Sequence, residues 1–208
     1  MFPALYAILD PSLTPELAAF ARKLADAGVQ LMQLRDKSGS SRRIHEEARE
    51  LMILQSRGVR LIVNDRPDIA AIVGASGVHV GQDDLPVEDA RKICKLPLWV
   101  GVSTHNLNQL SAADATSADY IAVGPIFPTD TKENPDPVVG LEFLRAARQL
   151  TRKPLVAIGG VTIESAVEVY AAGADSLAVI RDLVLAKDPQ ERAREYLAVA
   201  ERASNMRS

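Results

Sequence analysis

Gln33, Arg35 and Lys37 stand two residues apart in the segment Gln33-Leu34-Arg35-Asp36-Lys37. Side chains alternate along an extended chain, so this amide and these two cations project to one side. Such a set suits a polyanion such as a diphosphate, because arginine offers a planar fork of donors and lysine a mobile point charge. A solvated loop that merely carries charge is the competing reading. Downstream, Asn64-Asp65 and Gly81-Gln82-Asp83-Asp84 each follow an apolar run. Magnesium bound together with phosphates takes only one or two protein carboxylates and keeps several waters, which makes Asp65 and Asp84 a candidate pair. The alternative for Asp83 or Asp84 is a helix cap ahead of Pro86.

Further along, Gly101-Val102-Ser103-Thr104-His105 ends another apolar run, and Ser103 is placed to hydrogen-bond a substrate oxygen or ring nitrogen. His79 and His105 fall near run ends, where a structural or orienting role competes with proton transfer. Neither has the spacing of a zinc site. His45, within a helical pattern, reads as a surface residue. The stretch from Gly124 to Pro135 is the longest loop, rich in proline and hydroxyls, and long loops in compact domains are often functional lids. Thr129, Thr131 and Lys132 are its phosphate-seeking residues. Ile158-Gly159-Gly160-Val161-Thr162 runs from an apolar segment into a helix, and Gly160 would let backbone approach an anion. Two anion pockets follow: Arg35, Lys37 and a metal for a diphosphate, and backbone amides near Gly160 for a monophosphate.

These residues need a scaffold that brings them together. Eight short apolar runs recur, at Leu5 to Leu9, Leu31 to Leu34, Leu61 to Val63, Gly77 to Val80, Trp99 to Val102, Tyr120 to Val123, Leu155 to Ile158 and Ser176 to Ile180. Their continuous apolarity predicts strands buried on both faces, as in a parallel sheet. Between them lie helical spacings. The first opens at Thr14-Pro15, with Thr14 as the expected N-cap, carries Leu17, Phe20, Ala21 and Leu24, and stops at Gly28. A second carries Ile44, Ala48, Leu51 and Met52 and ends near Gly58. Others are expected around Ile69 to Val73, Pro86 to Cys94, Leu107 to Ala113, Leu141 to Leu150, Ile163 to Ala171 and Pro189 to Ala203. Eight strands alternating with eight helices predict a (β/α)₈ TIM barrel, whose active site lies at the C-terminal strand ends. An open doubly wound sheet would favour a glycine-rich first turn, and here that turn is Asp10-Pro11-Ser12-Leu13.

The chain has 208 residues, 47% hydrophobic and 25% charged, with a formal charge of −3, so one domain over 1–208 is expected. No long basic stretch points to nucleic acid. The one cysteine, Cys94, excludes an internal disulfide and reads as a small core residue. No run approaches the ~20 apolar residues of a membrane span, and no signal-peptide pattern opens the chain, so a cytoplasmic protein is expected.

The motifs Gln33-Leu34-Arg35-Asp36-Lys37, Asn64-Asp65, His79-Val80-Gly81-Gln82-Asp83-Asp84, Gly101-Val102-Ser103, Gly124 to Lys132 and Ile158-Gly159-Gly160 together resemble the ordered motif set of the thiamine-phosphate synthase family, over about residues 5 to 195. The resemblance implies a transferase joining 4-amino-2-methyl-5-(diphosphooxymethyl)pyrimidine to 4-methyl-5-(2-phosphoethyl)thiazole, or its carboxylated form, with release of pyrophosphate. It implies that Gln33, Leu34, Arg35, Asp36, Lys37, Asn64, Ser103 and Lys132 bind the pyrimidine diphosphate. Arg35, Lys37, Ser103 and Lys132 then carry the catalytic roles. Asp65 and Asp84 hold Mg²⁺, and Thr129, Asp130, Thr131, Gly160, Ile180 and Arg181 surround the thiazole phosphate. The implied partners are these small molecules, with homo-oligomerisation left open. The chain departs from the pattern twice. Many members carry a second acid where it has Arg66, and some carry serine where it has Arg181. The rivals are a thiazole tautomerase on the same barrel, with His105 as the suspected proton carrier, and a non-catalytic phosphate-binding barrel.

Overall fold

The computed structural model describes residues 2–95, 97–129 and 136–205. Eight parallel strands form a closed barrel in sequence order: β1 Leu5–Leu9, β2 Leu31–Leu34, β3 Arg60–Asn64, β4 Gly77–Val80, β5 Trp99–Thr104, β6 Tyr120–Val123, β7 Leu155–Ile158 and β8 Ser176–Val179. The ring closes where Leu5 lies opposite Leu177 and Ala7 opposite Val179. That closure removes the open-sheet alternative and confirms the TIM barrel.

Strand alternation sorts the apolar residues into two cores. Leu5, Ala7, Leu9, Met32, Leu34, Leu61 and Val63 face outward and pack under the helices. Tyr6, Ile8, Leu31, Ile62, Tyr120, Ala122, Val156 and Ala178 face inward and fill the barrel. The N-terminal end of the barrel is closed by aromatic packing. Phe2 stacks on Trp99 at 5.3 Å between centroids, and the Arg60 guanidinium lies 4.5 Å from the Trp99 ring centre. Gln33, His79 and Ser103, inward polar residues of β2, β4 and β5, lie toward the other end.

Among the described residues the helices are α1 Leu17–Asp26, α2 Ser41–Leu51, α3 Pro67–Val73, α4 Val87–Ile93, α5 Leu107–Asp114, α6 Gly140–Leu150, α7 Ala166–Ala171, α8 Arg181–Val184 and α9 Pro189–Asn205. A 3₁₀ turn, Met52–Arg57, prolongs α2 to Gly58 in the left-handed region. Three expectations are corrected. Thr14 does not cap α1: the helix starts three residues later, and the buried Thr14 hydroxyl has no partner in the structure. Strand β8 stops at Val179, and the following residues turn at once into α8, a helix that apolar periodicity is too short to reveal. Neither Asp83 nor Asp84 caps α4, whose N-cap position is held by Pro86. Cys94 is buried, and its thiol donates to the Pro67 carbonyl. No helix among the described residues is long and apolar enough to cross a membrane.

Candidate active site

A cleft of about 820 Å³ opens at the C-terminal strand ends. Gln33, Arg35, Lys37, Asn64, Asp65, Asp84, Ser103, Thr129, Gly160, Ile180 and Arg181 all line it, which brings together both anion sets expected from sequence.

On one side stand the cations and the carboxylates. Arg35 donates to Asp10 at 2.9 Å, and the other Asp10 oxygen accepts from the Ser12 amide at 3.0 Å and its hydroxyl at 2.5 Å. Asp10, the residue just past β1, thus fixes the guanidinium that β2 projects. Lys37 pairs with Asp65, whose carboxyl also faces that of Asp84. The Asp65 carboxyl is held above its ordinary range, chiefly by burial and further by Asp84, against the opposing pull of Lys37. Asp65 is also the non-glycine residue with a positive φ, 60°, among those described. Backbone of this kind costs on the order of 1 kcal/mol or more and gathers at functional sites. Asp84 accepts from the Gly81 amide at 2.8 Å, which shapes the loop after β4. Two abutting carboxylates, one with a raised pKa, are the donor set that a divalent cation relieves, and Mg²⁺ needs no third one. Among the described residues no cluster of three or more potential ligands forms.

The floor is a chain of hydrogen bonds across the barrel. The Gln33 amide donates to Tyr6 at 2.7 Å, the Tyr6 and Tyr120 hydroxyls meet at 2.9 Å, Tyr120 meets His79 Nδ1 at 3.1 Å, and His79 Nε2 meets Ser103 at 2.8 Å. Burial pulls the His79 pKa down to about 4, with Asp84 opposing and Lys37 assisting, so the ring is neutral near pH 7. Burial raises both tyrosines, which keep their protons.

The far side is built by the turn after β7 and by α8. Gly159 and Gly160 have φ of 92° and 64°, and a Cβ on Gly160 would meet the Pro128 carbonyl at 2.5 Å and Phe127 at 2.8 Å. The glycines therefore admit the loop after β6, not only an anion. Asp182 of α8 accepts from Tyr196 at 2.7 Å and pairs with Arg192 at 3.3 Å, both on α9. His105 bonds the Gly124 carbonyl through Nδ1 at 2.6 Å, and its Nε2 lies 3.6 Å from Asp136. The Nδ1 bond ties His105 to Gly124, where the loop after β6 begins.

Two expected contacts take another form. The Leu34 side chain faces the helices within the outer core, since its parity on β2 is opposite to that of Gln33 and Arg35. Asp36 folds back on its own loop, accepting from the Ser38 and Gly39 amides at 3.0 and 2.7 Å and facing Arg43 at 3.3 Å. Neither side chain is in the cleft lining. Asp130, Thr131 and Lys132 lie outside the described residues. Sequence reasoning missed Tyr6, Tyr120 and Asp10. Strand parity carried the signal, because Tyr6, Gln33, His79, Ser103 and Tyr120 all occupy inward positions.

The family model described as thiamine monophosphate synthase matches residues 5–183. A thiamine-phosphate synthase of Koribacter versatilis is 52% identical over 204 residues, covering 95% of each chain. One from Shouchella clausii is 40% identical over 203 residues, covering 96% of this chain and 97% of its own. The solved thiamine phosphate pyrophosphorylase of Pyrococcus furiosus superposes with a TM-score of 0.88 at 33% identity, over 96% of both chains.

Proposed function

Since the chain belongs to the thiamine monophosphate synthase family and is a transferase forming thiamine phosphate, we propose how its residues divide that reaction. The substrates are the aminopyrimidine diphosphate and the thiazole phosphate, plain or carboxylated. Arg35 and Lys37 receive the diphosphate, joined by Lys132. Gln33, Asn64 and Ser103 hold the pyrimidine ring, with Leu34 and Asp36 contributing backbone to the same strand end. Thr129, Asp130, Thr131, Gly160, Ile180 and Arg181 hold the thiazole phosphate. Asp65 and Asp84 would hold Mg²⁺, which when bound supplies positive charge to the diphosphate oxygens.

The substitution is dissociative. The bond between the pyrimidine methylene carbon and the diphosphate oxygen breaks, and its electron pair leaves with pyrophosphate. The methylene cation is stabilised by the electron-rich amino ring, and the thiazole nitrogen lone pair closes the new C–N bond. The main demand is relief of growing negative charge on the leaving group, which Arg35 and Lys37 meet as fixed cations. No strong general base is required. One observation carries this reading: Arg35, Lys37, Asp65 and Asp84 gather at one side of a single cleft, opposite the Gly160 turn and α8.

The test mixes purified protein, Mg²⁺ and both phosphorylated heterocycles and follows thiamine phosphate and pyrophosphate. Product is expected only with both heterocycles present. Isomerisation of the thiazole alone, without condensation, would replace this reading with that of a tautomerase.

A further inference from the structure

We propose that Tyr6, Tyr120 and His79 are positioning residues that set the direction of hydrogen bonding across the barrel floor, so that Gln33 offers an acceptor and Ser103 a donor to the substrate ring. The inference deepens the proposed synthase reading, on which the identity of the ring rests.

The direction follows from counting protons. Gln33 Nε2 donates to Tyr6, the buried Tyr6 proton finds its acceptor in Tyr120, and the Tyr120 proton then goes to His79 Nδ1. A neutral imidazole that accepts at Nδ1 carries its proton on Nε2 and donates it to Ser103 Oγ. The Ser103 hydroxyl proton is then left for the cleft. At the other end the amide nitrogen is engaged, and Gln33 Oε1 has no protein partner in the chain of bonds. Reversing the direction requires turning the Gln33 amide over, and that exchanges donor and acceptor at both ends at once. Tyr6 and Tyr120 are about 1% exposed or less and His79 is 7% exposed, so water cannot absorb a mismatch midway.

Sterics hold the relay in place. A Cβ on Gly101 would lie 2.0 Å from the Tyr120 ring, so glycine at this inward position of β5 is what lets the ring span between His79 and Tyr6. The Tyr120 and His79 rings stack at 5.5 Å, and Tyr6 meets Tyr120 edge-on at 5.9 Å. An acceptor at one end and a donor at the other fit a ring bearing an amino group and a ring nitrogen. They oppose its oxo counterpart, which offers an acceptor where the amino group donates.

Two measurements test the relay. In ¹⁵N NMR of histidine-labelled wild-type protein, with the His79 signals assigned by their loss in His79→Gln, the Nε2–H tautomer is expected. The Nδ1–H tautomer would overturn the proposal, whether or not the protein binds any pyrimidine. Binding of the aminopyrimidine diphosphate and of its oxo analogue is then compared in Tyr6→Phe and Tyr120→Phe. The preference for amino over oxo should fall about ten-fold or more, while binding of pyrophosphate alone stays as in wild type. An unchanged preference in whichever variant is folded by circular dichroism would also overturn the relay. Failure of wild type to bind either pyrimidine would count against the synthase reading, leaving the tautomer to decide the relay.

Discussion

At the scale of single residues the site is a balance of charges held in fixed places. Lys37 is more than half exposed, and its pair with Asp65 sits at the rim, where ion pairs add about 1 kcal/mol or less to stability. Lys37→Ala is therefore expected to lower kcat/KM by roughly a hundred-fold or more, with thermal unfolding close to wild type, as steady-state assays and calorimetry would read. Asp84→Asn keeps an oxygen for the Gly81 amide but removes one of two abutting carboxylates. Without Mg²⁺ its melting temperature should equal or exceed that of wild type, and added Mg²⁺ should no longer raise it. A Mg²⁺-dependent rise equal to that of wild type would remove Asp84 from the metal site. Arg35, Lys37, Asp65 and Asp84 were legible in the sequence because each sits in a polar motif at the end of an apolar run. Asp10 was passed over in a turn read only for its lack of glycine, and its bond to Arg35 joins residues 25 apart.

At the scale of elements, the strands were the readable part. Every apolar run became a strand, with ends displaced by no more than two residues, since burial on both faces leaves an unbroken apolar signature. The helix starts were less legible. Thr14-Pro15 has the chemistry of a cap, yet Glu16 is the N-cap and α1 opens at Leu17. Helix α8 is four residues long, barely one turn and too short for an apolar spacing to recur, and tertiary packing holds it. That packing comes from α9, through the Tyr196 hydroxyl on Asp182. Tyr196→Phe should cost about 1 kcal/mol in chemical denaturation. It should also raise KM for the thiazole phosphate more than KM for the pyrimidine diphosphate, because α8 borders only the far side of the cleft. Equal changes in the two KM values would detach α8 from thiazole binding.

For the whole molecule, the inward polar chain links proton uptake to folding. His79 is buried neutral with a pKa of about 4 against an ordinary 6.5, so between those values the unfolded chain binds more protons than the folded one. Stability then falls as pH drops from 6.5 toward 4, by on the order of 3 kcal/mol at the limit. Above 6.5 the histidine contributes no slope. Urea unfolding at several pH values should show a shallower dependence for His79→Asn than for wild type, and identical slopes would contradict the assignment. This chain was the part of the site least visible in advance, because Tyr6 and Tyr120 lie 114 positions apart and read locally as ordinary core aromatics. The Phe2, Trp99 and Arg60 stack at the opposite end has a consequence for traffic. Among the described residues it makes the cylinder a cul-de-sac with one doorway. Whatever settles deepest, against Gln33 and Ser103, has to enter before a second guest sits above it, and the finished product must clear the threshold before the next round can begin.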